Sequence, residues 1–249
     1  MRIAVITGAA SGSGLAIAQR LAEEGYGVAL VDIDAAGGKA AEEQIRAKGH
    51  KAGFFQCDVA SADQVQAMAQ AIGDEHDKID VLVNNAGIGL FGSLDEFSPE
   101  DWDRQMEVNA KSVFLVTKYL LNLLRKGSEQ SIINIGSGAG VIGVGNSIGY
   151  CASKGALVVM SKAMALDLAP EGMRVNALCP GVVDTPFNDA ILATMDDPSA
   201  VLEAQRGAHP LGRLATAEDV ADAAAFLSSN QASFITGTTF MVDGGLTAQ

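Results

Sequence analysis

Seven short runs rich in β-branched and other apolar residues lie at about 3–6, 27–32, 52–57, 79–84, 131–136, 173–178 and 238–242, and stretches of helical periodicity separate the first six. This alternation constrains the fold more than any other feature. Repeated strand–helix–strand units cover both faces of a sheet when the strands run parallel and the crossovers are right-handed. The expected class is therefore α/β, with a doubly wound parallel sheet. Such a sheet binds ligands beyond the carboxyl ends of its strands, near the point where strand order reverses. The chain has 249 residues, and no internal repeat, low-complexity tract or Pro/Ser-rich linker divides it. One domain over 1–249 is the simplest division.

Charge and cysteine usage narrow the partners. A net charge of −13 opposes attraction to nucleic acid or an anionic membrane surface, which leaves a small-molecule substrate as the expected partner. Cys57, Cys151 and Cys179 are odd in number and widely spaced, which fits neither a disulfide framework nor a CxxC-type metal site. No apolar run approaches the ~18 residues of a membrane span. Met1 to Ile6 reads as a buried strand and not as a signal peptide, so a reducing, cytoplasmic location is expected.

Directly after the first run stands Thr7-Gly8-Ala9-Ala10-Ser11-Gly12-Ser13-Gly14, followed by a helical pattern from Leu15 to Glu24. The spacing is GxxxGxG, which differs from the GxGxxG of the standard fingerprint. Glycines at these positions permit a tight turn and expose backbone N–H groups and a helix start to a pyrophosphate. A strand-to-helix turn without a ligand is the plainer reading of the turn alone. The second run ends in Asp32, 18 residues beyond Gly14. A carboxylate there can accept both ribose hydroxyls of an adenosine and repels a 2′-phosphate, and neither Ser11 nor Ile33 offers a compensating positive charge. Asp32 thus predicts NAD in preference to NADP.

Tyr150 and Lys154 are four apart on the helical pattern Gly149 to Leu168, so they share one face. A tyrosine hydroxyl of pKa about 10 is a poor base at neutral pH, and an adjacent ammonium favours its anion. That combination suits acceptance of an alcohol proton. Ser137, at the end of the fifth run, can hydrogen-bond a substrate oxygen and hold the reacting carbon in place.

Together with Asn84-Asn85-Ala86-Gly87 after the fourth run, Asp58-Val59 after the third and Pro180-Gly181-Val182-Val183-Asp184-Thr185 after the sixth, these residues make the chain resemble the short-chain dehydrogenase/reductase family. The resemblance runs from Thr7 to Gly245. It implies a single-domain Rossmann fold with a seven-stranded parallel sheet in the order 3-2-1-4-5-6-7, and an oxidoreductase that transfers a hydride between a CH–OH group and NAD. It gives Asn109, expected in the fourth helix, the task of holding a water in the proton relay, and gives Lys154 a second task of binding the nicotinamide ribose. Bonding of helix backbone is the other reading of Asn109. The cofactor contacts it implies are Gly8, Ser11, Gly12, Ser13, Gly14, Asp32, Ile33, Asp58, Val59, Asn85, Ala86, Gly87, Tyr150, Lys154, Pro180, Gly181, Val183 and Thr185. Asn84 and Asn85 also suit backbone bonding between strands. For Thr185 two readings stand, a bond to the nicotinamide carboxamide and a helix N-cap.

The stretch 186–212 corresponds to the family's mobile substrate lid. Gly138, Ala139, Ser147, Val182 and Phe187 are the candidate substrate contacts, and small or apolar residues around Ser137 suggest a small secondary alcohol, diol or hydroxyketone. The alternatives are a 3-oxoacyl-thioester reductase serving an acyl carrier protein and, in a different class, a non-catalytic NADH-binding sensor. His209, before Pro210-Leu211-Gly212, reads as structural, and Cys151 as a small packing residue. His50 and His76 have no partners at metal spacing, so no metal is expected; the C-terminal Gln249, in a tail like that of magnesium-holding alcohol dehydrogenases of the family, is the one candidate. The helix carrying Tyr150 is apolar on almost every face, which predicts a subunit interface; the resemblance implies a homotetramer.

Overall fold

The computed structural model describes residues 1–248. Its strands are β1 (Ile3–Thr7), β2 (Gly27–Asp32), β3 (Ala52–Gln56), β4 (Val81–Asn84), β5 (Ser131–Ile135), β6 (Arg174–Pro180) and β7 (Thr239–Val242). All pairings are parallel, in the order β3-β2-β1-β4-β5-β6-β7. The order reverses between β1 and β4, which are adjacent in the sheet. This is the doubly wound arrangement expected from the alternation, in the Rossmann strand order that the resemblance implies.

Period-two alternation along each strand feeds two cores. Ile6, Leu30, Val83 and Ile133 point to one face and pack with Ile17 and Leu21 of α1 (Gly12–Glu23) and Val220 and Leu227 of α9 (Ala217–Ser228). Their neighbours Val5, Val31, Leu82 and Ile132 point to the other face, against Val65 and Ile72 of α3 (Ala62–Glu75) and Leu115 and Leu120 of α5 (Ser112–Leu124). Strands covered on both sides tolerate no polar alternation, which is why the runs read as continuous apolar segments. Each such side chain, fully buried, contributes about 1.5–3 kcal/mol.

A polar group ties neighbouring strands at their amino ends: Asp80, 1% exposed just before β4. Its carboxylate accepts from the backbone N–H of Ile3 and of Ser128, both at 2.8 Å, and from the Lys78 ammonium at 2.9 Å. These bonds hold the carboxyl below the usual aspartate range, against the opposing effect of its burial.

Helix starts divide into two kinds. Asp34 caps α2 (Ala35–Ala47), Ser61 caps α3, Ser98 caps α4 (Pro99–Met106), Asp197 caps α8 (Pro198–Gly207), and Thr216 with Asp219 forms a capping box on α9. No side-chain cap bond is made at Ser11 before α1, Ser147 before α6 (Ile148–Leu168) or Thr185 before α7 (Pro186–Leu192). All three of these starts border the crevice described below. No helix among the described residues is long and apolar enough to cross a membrane.

Candidate active site

The carboxyl ends of β1 and β4 are joined at the reversal point. Thr7 Oγ1 accepts from the backbone N–H of Asn85 and Ala86, each at 3.0 Å, and the Asn85 carboxamide donates to the carbonyls of Thr7 and Gly8. Asn85 is thus engaged with backbone. Asn84 is also structural: its carboxamide donates to Thr117 Oγ1 and to Asn134 Oδ1, and Asn134 passes the chain on to Ser161 Oγ.

Gly8 (φ +65) and Gly12 (φ +54) both occupy the left-handed region that favours glycine. A Cβ on Gly14 would overlap the Gly8 carbonyl oxygen, so α1 can pack this close to the turn only without one. A Cβ on Gly12 would stand 3.5 Å from Cβ of Thr185 across the crevice, filling the space between the β1 turn and the loop after β6. The first turn of α1 has no acidic residue and no side-chain cap, which leaves its N–H groups and positive dipole end open to an anion. Asp32, partly exposed at the tip of β2, accepts from Ala10 N at 2.9 Å and Asp34 N at 3.0 Å, which aims it beside the glycine turn. Ile33 next to it is 58% exposed, an apolar surface with nothing of the chain covering it. A glycine cradle, an uncapped helix start, an acid and an exposed apolar wall suit the pyrophosphate, ribose and adenine of a dinucleotide.

Of the other expected cofactor positions, Ser11 is exposed, Ser13 partly so, Val59 buried and Asp58 engaged with Ala60 N. Ala86 and Gly87 follow β4 at the crevice, and Gly87 lies beside Asn109 and Lys154: a Cβ there would be 3.2 Å from Asn109 Oδ1 and 3.6 Å from Lys154 Nζ. Pro180 ends β6, Gly181 packs against His209, and Val183 bridges to Ala215. Thr185 holds the N-cap position of α7 but makes no side-chain cap bond there, its hydroxyl lying 3.4 Å from the Val183 carbonyl. The positional part of the cap reading is right, and the hydroxyl is not used for it.

Ser137, Tyr150 and Lys154 meet at the ends of β5 and α6. The Ser137 hydroxyl lies beside the Tyr150 hydroxyl, where it favours the phenolate, and accepts from Ala139 N at 3.2 Å. Lys154 is 5% exposed; its ammonium donates to the Ile135 carbonyl at 2.9 Å and lies 5.8 Å from the centre of the Tyr150 ring. Burial pushes Tyr150 up to about 12, partly offset by the neighbouring Ser137 hydroxyl, although the residue as a whole is partly exposed. Burial likewise pulls Lys154 down to about 8.

Asn109 departs from its expected place in an ordinary helix. Glu107–Lys111 winds as a π-helical turn between α4 and α5. From it the buried Asn109 carboxamide accepts from Ile88 N at 2.8 Å and donates to Ile88 O at 2.9 Å and Ser153 Oγ at 3.1 Å; Ser153 in turn donates to the Tyr150 carbonyl. Helix-backbone bonding is the other reading of Asn109; the backbone it bonds is instead that of Ile88, in the loop after β4. Gln105, one turn earlier and fully buried, accepts from Leu90 N at 2.6 Å and does the same for the next residues of that loop.

The substrate candidates Gly138, Ala139, Ser147, Val182 and Phe187 all border this end of the sheet. Ser147 is buried and bonds Gly145 O. Phe187 packs near Tyr150, its ring centre 6.5 Å away. Val182 N donates to His209 Nε2 at 3.1 Å, while His209 Nδ1 donates to the Gln205 carbonyl at 2.6 Å. Both ring nitrogens are therefore engaged, and His209 is a fixed, buried strut between α8 and the loop after β6. Sequence reasoning missed Gly89, Phe91 and Gln105. Gln105 was findable, four residues before Asn109; Phe91 lies in a loop without periodicity. Among the described residues no group of three or more His, Cys, Asp or Glu is placed to hold a metal, and all three cysteines are free thiols. The metal candidate Gln249 lies outside the described residues.

This fold and crevice define an oxidoreductase that uses a nicotinamide cofactor on CH–OH groups. A family model described as "Enoyl-(Acyl carrier protein) reductase" matches residues 8–247. The 2-(S)-hydroxypropyl-CoM dehydrogenase 3 of Xanthobacter autotrophicus is 40% identical over 248 residues, covering 99% of this chain and 96% of the relative. The cyclopentanol dehydrogenase of Comamonas sp. is 40% identical over 247 residues, covering 99% and 97%. Among solved structures, a levodione reductase superposes with a TM-score of 0.95 at 31% identity over 99% of this chain and 98% of that one. The ligand-free aldohexose dehydrogenase of Thermoplasma acidophilum gives 0.90 at 35%, over 100% and 94%. The chain belongs to the short-chain dehydrogenase/reductase family.

Proposed function

We propose that the protein is an NAD-dependent dehydrogenase of small secondary alcohols, acting in either direction, with Tyr150 as the acid/base. The observation that carries this is the juxtaposition of Ser137, Tyr150 and Lys154, with Ser137 beside the tyrosine hydroxyl and the lysine ammonium held beside its ring. When bound, the nicotinamide accepts or delivers the hydride. Ser137 holds the substrate oxygen, and Tyr150 takes the hydroxyl proton as the carbonyl forms. A phenol near 12 needs positive charge to release its proton at neutral pH, and the Lys154 ammonium is the chain's nearest source. Asn109 fixes the Ile88 backbone and, through Ser153, the start of α6, so it positions Tyr150 against the rest of the site.

NAD is favoured because Asp32 is already oriented by two backbone N–H groups, which leaves a 2′-phosphate facing a fixed carboxylate. A carrier-protein substrate is disfavoured by the exposed acids Asp189, Asp196, Asp197 and Glu203 around the lid, which repel an acidic partner. A homotetramer is supported by the exposed apolar side chains Phe114 on α5 and Val159 and Leu166 on α6, the last 78% exposed. Three free thiols are in keeping with a reducing, cytoplasmic compartment.

The test is Tyr150→Phe. NADH formation from a secondary alcohol should fall by about 10²–10⁴-fold while NADH binding, followed by fluorescence, persists. Undiminished turnover in the variant would remove Tyr150 from the chemistry. Tight NADH binding with no turnover of any alcohol by the wild type would instead favour a sensor.

A further inference from the structure

Beside Tyr150 the chain builds a wall that proton transfer does not require. Phe91, from the loop after β4, sets its ring centre 5.5 Å from that of Tyr150, inclined at 43°; Phe187, from the first turn of α7, stands on the lid side at 6.5 Å and 37°. Both rings close over Gly89, where a Cβ would lie 2.7 Å from Phe91 Cε2 and 3.0 Å from Phe187 Cζ. Phe91 is fixed from behind, since Gln105 and Asn109 hold the backbone of Leu90 and Ile88. Phe187 rides on the lid. Beside the start of α6 lies an open surface groove of about 380 Å³, lined by Gly92, Leu94, Val144, Ser147, Ile148 and Cys151 among others, with no charged side chain; Tyr150 and the two phenylalanines do not line it.

The surrounding charge is one-sided. Asp95 and Glu96 on the β4 side and Asp189, Asp196 and Asp197 on the lid are exposed. Of the basic side chains in 186–212, Arg206 is paired with Glu203 at 2.7 Å and His209 has both nitrogens engaged. An anionic substrate would lose its hydration here and find no free cation on the lid to replace it.

We infer that Phe91 and Phe187 determine specificity, selecting an uncharged alicyclic secondary alcohol, or its ketone, over open-chain and anionic hydroxy compounds. The inference rests on the dehydrogenase reading above. Two aromatic rings inclined to the tyrosine, one anchored and one on the lid, offer flat apolar faces, and a saturated five- or six-membered ring lies against them with few internal rotations to lose, unlike an open chain of equal carbon number. The ring alcohol gives its carbinol hydride to NAD⁺ and its hydroxyl proton to Tyr150, leaving the cyclic ketone, NADH and one proton.

The experiment compares kcat/KM for cyclohexanol, 2-hexanol and 3-hydroxybutyrate, with NAD, in wild type, Phe91→Ala, Phe187→Ala and Gly89→Ala. Wild type is expected to prefer cyclohexanol to 2-hexanol by about tenfold and to 3-hydroxybutyrate by about 100-fold. In both phenylalanine variants the cyclohexanol/2-hexanol ratio should fall toward one. Gly89→Ala keeps both rings but displaces them, so the same fall there separates ring placement from lost packing. A wild-type ratio near one, a preference for 3-hydroxybutyrate, or a ratio that no variant changes would overturn the inference and leave the dehydrogenase reading standing. No turnover of any alcohol, with NADH bound, would overturn both.

Discussion

Replacing Lys154 with methionine should stabilise the cofactor-free protein at pH 7 while abolishing turnover. Burial lowers the Lys154 ammonium from 10.5 to about 8, so the fold disfavours its charged form. That depression corresponds to about 3 kcal/mol against the ammonium at neutral pH. The bond to the Ile135 carbonyl offsets about 1 kcal/mol, leaving a gain of about 2 kcal/mol for an apolar side chain of similar length. For a chain of this size that is a rise of about 4–8 °C in Tm. The pH dependence carries the sign. Because the folded value lies below the unfolded one, the penalty is complete below pH 8 and disappears as pH rises to 10.5, so wild type gains on the variant across that interval. Urea unfolding of both proteins without cofactor, at pH 7 and pH 10, measures the difference. It should shrink by about 2 kcal/mol between the two. A variant less stable at pH 7, or a difference that does not change with pH, would refute the claim that an uncompensated charge is buried there.

Three further outcomes are expected. Asp80→Ala removes the acceptor of two backbone and two side-chain donors and should cost about 3 kcal/mol in urea unfolding at pH 7. Since the folded carboxyl lies below its unfolded value, that contribution is present above about pH 4 and fades as pH falls through the folded value, so wild type and variant should converge in acid. Gly14→Ala forces a Cβ into the Gly8 carbonyl; it should weaken NADH binding by at least about tenfold and destabilise by about 1–3 kcal/mol, measured by fluorescence titration and thermal unfolding. Asp32→Ala should raise the ratio of NADP to NAD turnover and cost about 1–2 kcal/mol, since Ala10 N and Asp34 N both lose their acceptor; an unchanged cofactor ratio would show that the acid does not discriminate.

The parts of the molecule that could be read from residues alone are those where one local rule acts unopposed. Strands buried on both faces leave uninterrupted apolar runs, so β1 and β2 stand out, while β6, expected at about 173–178, runs Arg174–Pro180. Tyr150 and Lys154 were readable because a regular helix turns a spacing of four into adjacency. The pocket wall was not. Phe91 and Phe187 each meet Tyr150 from a separate loop or helix start, and the place of Phe91 depends on backbone held from a distance by Gln105 and Asn109. A π-helical turn has no sequence period that distinguishes it from the helices on either side, so the exact presentation of Asn109 lay beyond pattern reading.

That turn makes the α4–α5 segment sensitive to length in an unusual direction. Removing one residue from 107–111 would let the hydrogen bonds revert to the ordinary α pattern with α4 and α5 still in phase, so the change would fall on the turn itself. Asn109 would no longer be presented to Ile88 and Ser153, and the loop that carries Phe91 would lose one of its two side-chain anchors while the helix itself became more regular. Helical perfection and a working pocket are here opposed: a shortened chain should melt no lower than the original and yet no longer tell a ring from an open chain.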